Sequence, residues 1–230
     1  MLVDIFSSFD DNNQTFMSFY MLTWIFSLVM IILFSCSYWT MSPKWNSIIK
    51  VFKDTASSQI FRSHGLMMGG FIQLVSGLFL FLILMNLSGL IPYVFSATSH
   101  LVVSFSIALP MWLSLIVSAV LFNPKSVVAS LLPMGAPAPL NPFLVIIETV
   151  SIFVRPITLS VRLTANMSAG HIVLTLIGNY LTASLFTSSI ITAAAFIVIQ
   201  VFYTIFEFGI SMIQAYIFSL LITLYSDEHP

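Results

Sequence analysis

An all-α, polytopic membrane protein is the fold class this sequence predicts, with about five to six membrane-embedded helices, the last two long and tilted, and an amphipathic helix on the surface. Three observations lead there. Of the 230 residues, 59% are hydrophobic and only 7% charged, with a mean hydropathy of +1.05 and a formal net charge of -1. The apolar residues fall in runs long enough to cross a bilayer, which takes about 20 residues as helix. Between about Phe143 and Ile177, one such run contains Glu148, Arg155 and Arg162. Charge at that depth costs roughly 2.5 to 3.5 kcal/mol per residue on insertion scales, so it usually meets a partner or a water-filled path. Residues 1–230 are expected to form a single membrane domain.

The elements follow from the polar interruptions. The N-terminal MLVDIFSSFDDNNQTF is acidic and lacks the basic residue, apolar core and cleavage site of a secretory signal, so nothing in it is expected to be removed. Asn13-Gln14-Thr15 fits a glycosylation sequon only as a chance-level match. The first apolar run, about Phe19 to Trp39, has Tyr20, Trp24, Tyr38 and Trp39 near its ends, where interfacial belts occur. Ser42 to His64 carries Lys44, Lys50, Lys53 and Arg62, four of the seven basic residues, interleaved with Ile48, Ile49, Val51, Phe52 and Phe61. That mixture predicts an amphipathic helix lying along the surface. A second span is expected from about Leu66 to Ile91, ended by Gly89 and Pro92, with Gly65 and Gly69 spaced for close packing at its start. A third runs from about Leu101 to Phe122 and ends at Asn123-Pro124-Lys125. Leu131 to Pro142, LLPMGAPAPLNP, has four prolines and cannot continue a regular helix, which predicts a turn or partly re-entrant hairpin. Phe143 to Ile177 and about Leu185 to Tyr225 each exceed an upright crossing, so tilting is the natural accommodation. Basic residues assign 40 to 65 and Lys125 to the inner side; the N-terminus and the loop Tyr93 to His100, free of Lys and Arg, fall outside.

Glu148, Arg155 and Arg162 are seven residues apart, so on a helix they share a stripe that drifts only about 20° per step. A charged seam inside a membrane is a route for ions. Arg162, near the middle of its stretch, keeps its charge under essentially all conditions. Arg155, beside Pro156, suits either a structural role or a snorkelling position at the inner interface. Gln200, Glu207 and Gln214 repeat the seven-residue spacing on the last stretch, with Tyr203 and Ser211 one turn either side of the glutamate. Glutamines at such depth suit hydrogen bonding between helices; Glu207 carries a charge or neutralisation cost and points to function. His171 suits a proton relay or a neighbour to a carboxylate. The single Cys36 excludes an internal disulfide. The chain has no phosphate-binding loop, no HExxH or CxxC metal set and no basic face for nucleic acid, so neither metal nor cofactor is expected.

Asn86-Leu87-Ser88-Gly89-Leu90-Ile91-Pro92, Pro133-Met134-Gly135-Ala136-Pro137, Ile147-Glu148-Thr149, the block from Arg162 to His171 (RLTANMSAGH) and Gln214-Ala215-Tyr216-Ile217-Phe218 together resemble the subunit a family of F-type ATP synthases. The resemblance covers essentially the whole chain and is weakest before residue 60. A compact chain rich in Phe and Met and poor in Lys resembles the mitochondrially encoded form. The resemblance implies a non-catalytic stator in the mitochondrial inner membrane, its N-terminus toward the intermembrane space, conducting protons through two offset half-channels. The implied partners are the rotating c-ring, other membrane-sector and peripheral-stalk subunits, and the lipid bilayer. Arg162 matches the family's essential arginine, a gate facing the c-ring. Opposed unit charges about 4 Å apart at an effective dielectric near 20 interact by about 4 kcal/mol before desolvation, enough to favour a deprotonated carboxylate on each passing c subunit. Glu207, His171, Asn166 and Gln214 match inlet positions on the intermembrane side. Glu148 matches the outlet toward the matrix, and Asp227 or Glu228 matches an acidic position near the C-terminus whose residue order departs from the family. A small secondary transporter remains a rival, although no internal repeat is visible. A purely structural membrane subunit would leave the aligned Glu and Arg residues without a reason.

Overall fold

The computed structural model describes residue 9 and residues 44–91, 96–132, 140–187 and 190–229. The run Phe19 to Trp39, Cys36, the Asn13 sequon, Pro92, the start of the loop after it and most of LLPMGAPAPLNP lie outside the described residues. Within them are six α-helices: α1 (Lys44–Ile60), α2 (Phe71–Gly89), α3 (Leu101–Phe122), α4 (Pro124–Ser130), α5 (Asn141–Thr187) and α6 (Ile190–Asp227). Short 3-10 turns cover His64–Met67 and Ala97–Ser99. Four helices, α2, α3, α5 and α6, are long and apolar enough to cross a membrane.

Amphipathic α1 buries Ala56 and Ile60 and turns Lys44, Lys50 and Lys53 outward. Phe52 on its packed face meets Phe79 of α2 edge-on, ring centres 6.4 Å apart. The second span starts at Phe71, five residues later than Leu66, because the chain first makes the 3-10 turn and then passes Gly70, whose φ of +82° places it in the left-handed region. Gly65 is a true close-packing site: a Cβ there would stand 2.6 Å from both the Phe71 ring and Ser226 Oγ. Gly69 faces open space, so the expected glycine pair works through one member only.

α3 occupies the expected residues, with Pro110 inside it. Asn123-Pro124 ends that span and also begins α4, because the Asn123 side chain accepts the Ser126 N–H and proline fits the first helical position. α5, at 47 residues, is about 70 Å long, and α6, at 38, about 57 Å, against roughly 30 Å of hydrocarbon. Both are longer than an upright crossing needs. α5 runs ten residues past Ile177, through Gly178 and Asn179. One glycine costs a helix only about 1 kcal/mol, and the apolar Tyr180, Leu181, Leu185 and Phe186 beyond it favour continuation.

α6 lies along α5 and α2, α3 packs on α5, and α1 covers α2. Core residues Ile60, Val75, Leu82, Leu163, Phe218 and Ile222 sit where these helices meet. Lipid tails are as apolar as leucine, so close packing and interhelical hydrogen bonds hold such an assembly. Ser104 and Thr164 share a hydrogen bond of 2.6 Å between α3 and α5, and Ser219 of α6 donates to Gln59 of α1 at 3.3 Å. One end of the bundle gathers the start of α2, the end of α3 and the end of α6. There Asp227 Oδ1 accepts the His64 N–H at 2.7 Å, and His229 lies 6.1 Å from the Phe122 ring. Lys125 belongs to the same end, in accord with the basic residues sharing a side.

Candidate functional site

Polar residues on α5 and α6 form two clusters separated along the helices, with Arg162 between them. The first lies where α5 meets α6 near Gly170. Glu207, 2% exposed, approaches α5 so closely that a Cβ on Gly170 would overlap its carboxylate. Tyr203 lies one turn earlier on the same side of α6. One and two turns beyond, Ser211 and Gln214 are also buried, so two members of the stripe expected on α6, Glu207 and Gln214, meet α5. Asn166 Nδ2 donates to Gln214 Oε1 at 2.7 Å, tying the two helices one turn before Gly170. His171 follows Gly170 but does not pair with Glu207. Its Nε2 is buried without a hydrogen-bond partner among the described residues, about 3.9 Å from where a Cβ on Gly89 would be. Phe9 meets the His171 ring edge-on with centres 6.5 Å apart.

Asn86 joins this cluster from α2. Fully buried, it donates from Nδ2 to the Ser211 carbonyl at 3.3 Å and leaves Oδ1 without a partner among the described residues. In the sequence Asn86 served only as part of a resemblance, yet a lone amide on the same face as Val75, Phe79 and Leu82 was signal enough to look for a partner helix. Buried polar atoms without partners are where ordered water binds, and here they are an amide oxygen and a ring nitrogen.

The second cluster lies toward the end holding Lys125. Arg155 of α5 forms a close ion pair with Glu228, stands 3.8 Å from Glu148, and carries its guanidinium 5.2 Å from the centre of the Tyr225 ring. A cavity of about 340 Å³ opens beside these groups. Of the two acidic residues ending the chain, Glu228 joins Glu148 while Asp227 is engaged by the His64 backbone.

Arg162 is set apart. It sits on the exposed face of α5 with Ala165, Asn166 and Ala169, while Leu159 and Leu163, on one flank of that face, are buried. Among the described residues it makes no ion pair; both pairs present belong to Arg155. The expected charged seam is thus split, with Glu148 and Arg155 joined and Arg162 facing outward. At 1.5 Å per residue, Arg162 lies about 10 Å along the axis from Arg155 and about 12 Å from Gly170.

The tight Gly170–Glu207 contact gives one expected outcome. Gly170→Ala should lower stability by about 1 to 3 kcal/mol through overpacking, read as a lower melting temperature of the assembled complex in detergent. An unchanged melt would mean α5 and α6 can separate there.

Residues 17–227 match the family described as ATP synthase A chain. The chain is 38% identical to ATP synthase subunit a of Artemia franciscana, covering 99% of this chain and 100% of that protein. It is likewise 38% identical to ATP synthase subunit a of Locusta migratoria and 37% identical to that of Drosophila melanogaster, each over 99% of both chains. With four helices among the described residues long and apolar enough to cross a membrane, two of them very long and lined with paired polar residues, the chain belongs to the ATP synthase A chain family, the non-catalytic, proton-conducting stator subunits of the ATP synthase membrane sector.

Proposed function

We propose that protons reach a rotating ring of carboxylate-bearing c subunits through the Glu207 cluster and leave through the Glu148 cluster, with Arg162 as the gate between. The observation that carries this reading is Arg162 itself, a permanent cation at membrane depth with no ion pair inside the described chain and polar clusters on either side. An unpaired guanidinium there costs several kcal/mol unless a partner or water meets it. A carboxylate on another subunit is the partner that suits it, and its outward face offers the approach.

Glu207, His171, Asn166 and Gln214 then form the inlet on the intermembrane side, and Glu148 with Glu228 the outlet to the matrix. Asp227, held by the His64 backbone, serves as a tether at the outlet end rather than as a release group. The side assignment rests on Lys50, Lys53, Arg62 and Lys125 facing the matrix, with the N-terminus toward the intermembrane space and the inner mitochondrial membrane as the setting. The whole chain acts as one membrane unit, and other membrane-sector and peripheral-stalk subunits hold it still against the ring.

Cross-linking tests the interface directly. Ala165 is small, exposed and one turn from Arg162. In the intact synthase, Ala165→Cys is expected to form an oxidant-dependent disulfide with a cysteine placed one turn from the ring carboxylate. Failure there, with cross-linking instead from a lipid-facing position such as Phe202→Cys, would turn Arg162 away from the ring and end the gate reading.

A further inference from the structure

The outlet cluster contains a cation that the proposed proton route does not use. Arg155 stands between two carboxylates from different helices, Glu148 on α5 and Glu228 just past α6. We propose that Arg155 is a positioning residue of the outlet, holding Glu148 and Glu228 as one release unit so that a proton passes from the first to the second on its way to the matrix. This rests on the outlet reading above.

Three features support it. The Arg155 side chain is 22% exposed against 40% for Glu148 and 49% for Glu228, so both carboxylates stand more open than the cation that joins them. The guanidinium engages them unequally, close at Glu228 and 3.8 Å away at Glu148. Glu148 is therefore anchored yet keeps oxygens available for an incoming proton. Orientation is fixed from a third side by the Tyr225 ring, 5.2 Å from the guanidinium carbon, a distance at which the ring face attracts a cation. Arginine suits this place because its planar fork carries five donors and can serve two carboxylates at once, where an ammonium is a point charge.

The adjoining cavity is walled from α3 by Trp112, Leu115 and Ile116 and from α4 by Val127 and Ser130. Those two helices contribute no titratable group to it, so the charges facing Arg155 are those of Glu148 and Glu228, with His229 and Tyr225 beside them. About 340 Å³ has room for several waters at roughly 30 Å³ each. In the transfer, an O–H bond forms at Glu148 as the ring carboxylate loses its proton. That bond then breaks as the proton moves, directly or through one water, to Glu228 and on to the matrix. Arg155 keeps all its protons throughout.

The test is proton-driven ATP synthesis by the intact complex in sealed vesicles, normalised to assembled synthase on native gels, for Arg155→Gln, Arg155→Lys, Glu148→Gln and the double variant Arg155→Gln/Glu148→Gln. Arg155→Gln is expected to slow synthesis about tenfold, or about 1.4 kcal/mol of barrier. Arg155→Lys, which keeps the charge but not the fork, should recover only part of the rate, and the double variant should be no slower than Glu148→Gln alone, because the arginine acts through that carboxylate. A wild-type rate for Arg155→Gln beside a slowed Glu148→Gln, or losses that multiply in the double variant, overturns the role of Arg155 and leaves the outlet standing. A wild-type rate for Glu148→Gln removes the outlet reading itself. Should Arg155→Gln fail to assemble, Glu228→Gln takes its place: losses that do not multiply with Glu148→Gln support one release unit, and losses that multiply refute it.

Discussion

Arg162→Ala is expected to reduce proton-driven ATP synthesis to background, below about 1% of wild type, while the synthase still assembles. A hundredfold loss corresponds to about 2.7 kcal/mol. That is less than the roughly 4 kcal/mol by which a cation about 4 Å away favours an ionised carboxylate at an effective dielectric near 20, so losing the charge is enough to stall each passing subunit. Assembly survives because Arg162 makes no ion pair with the described chain and its neighbours Leu159 and Leu163 do the packing. A second effect adds to the first. The membrane potential supplies about 2.3 kcal/mol per charge for each 100 mV, and the two clusters lie only about 10 and 12 Å along the helix from Arg162. Without the cation a proton crosses between them and the potential dissipates as heat. Arg162→Lys is expected to be severely impaired as well, since an ammonium lacks the planar fork and can lose its proton. The measurement is ATP synthesis in energised vesicles alongside dye-reported proton leak; near-normal synthesis by Arg162→Ala would end the gate assignment.

Among the described residues, span boundaries were legible where they carry a local chemical signal. α3 matches its expected residues because a polar loop precedes Leu101 and Asn123-Pro124 follows Phe122. The same dipeptide ends α3 and begins α4, because a capping amide followed by proline is a start as well as a stop. The stretch expected to end near Ile177 runs longer, since a helix with an apolar surface on both sides of one glycine continues through Gly178. α2 starts late because a 3-10 turn, a tertiary feature locked by Gly65 against Ser226, has no period for a hydropathy scan to find.

The sites were legible to the extent that spacing determines a face. Seven-residue spacing placed Glu207 and Gln214 on the side of α6 that meets α5, and both are buried there. Spacing could not say which partner each would find. Asn166 reaching Gln214, Asn86 reaching Ser211 and Glu207 filling the space above Gly170 are contacts between segments 37 or more residues apart. At the C-terminus, adjacent Asp227 and Glu228 are interchangeable by composition, and a helix turns about 100° between them. That rotation sends one to His64 and the other to Arg155. The role of Arg155 was open for the same reason, since its nearest carboxylate lies 73 residues away in sequence. Family membership removes the transporter and the purely structural subunit as readings of the chain.

Glu207→Gln is expected to slow proton-driven synthesis about a hundredfold, at the low end of the roughly 10² to 10⁴ contributed by a positioned proton-exchanging side chain. Glutamine keeps the shape, so the contact above Gly170 and the assembly of the complex should survive. What disappears is a group that can take a proton and give it up. Nothing nearby substitutes for it: among the described residues Glu207 is the only carboxylate on α6 before Asp227, and Gln214 and Asn166 are occupied with each other. His171 remains, but its Nε2 points toward the end of α2 rather than along α6, so it can pass a proton toward Glu207 without replacing it. The loss should therefore be steepest when protons must enter from the intermembrane side. Glu207→Asp, which keeps the carboxylate on a shorter stem, should recover part of the rate. Proton uptake measured from each side of oriented vesicles checks both statements, and equal uptake by Glu207→Gln and wild type from the intermembrane side would move the inlet to another set of residues.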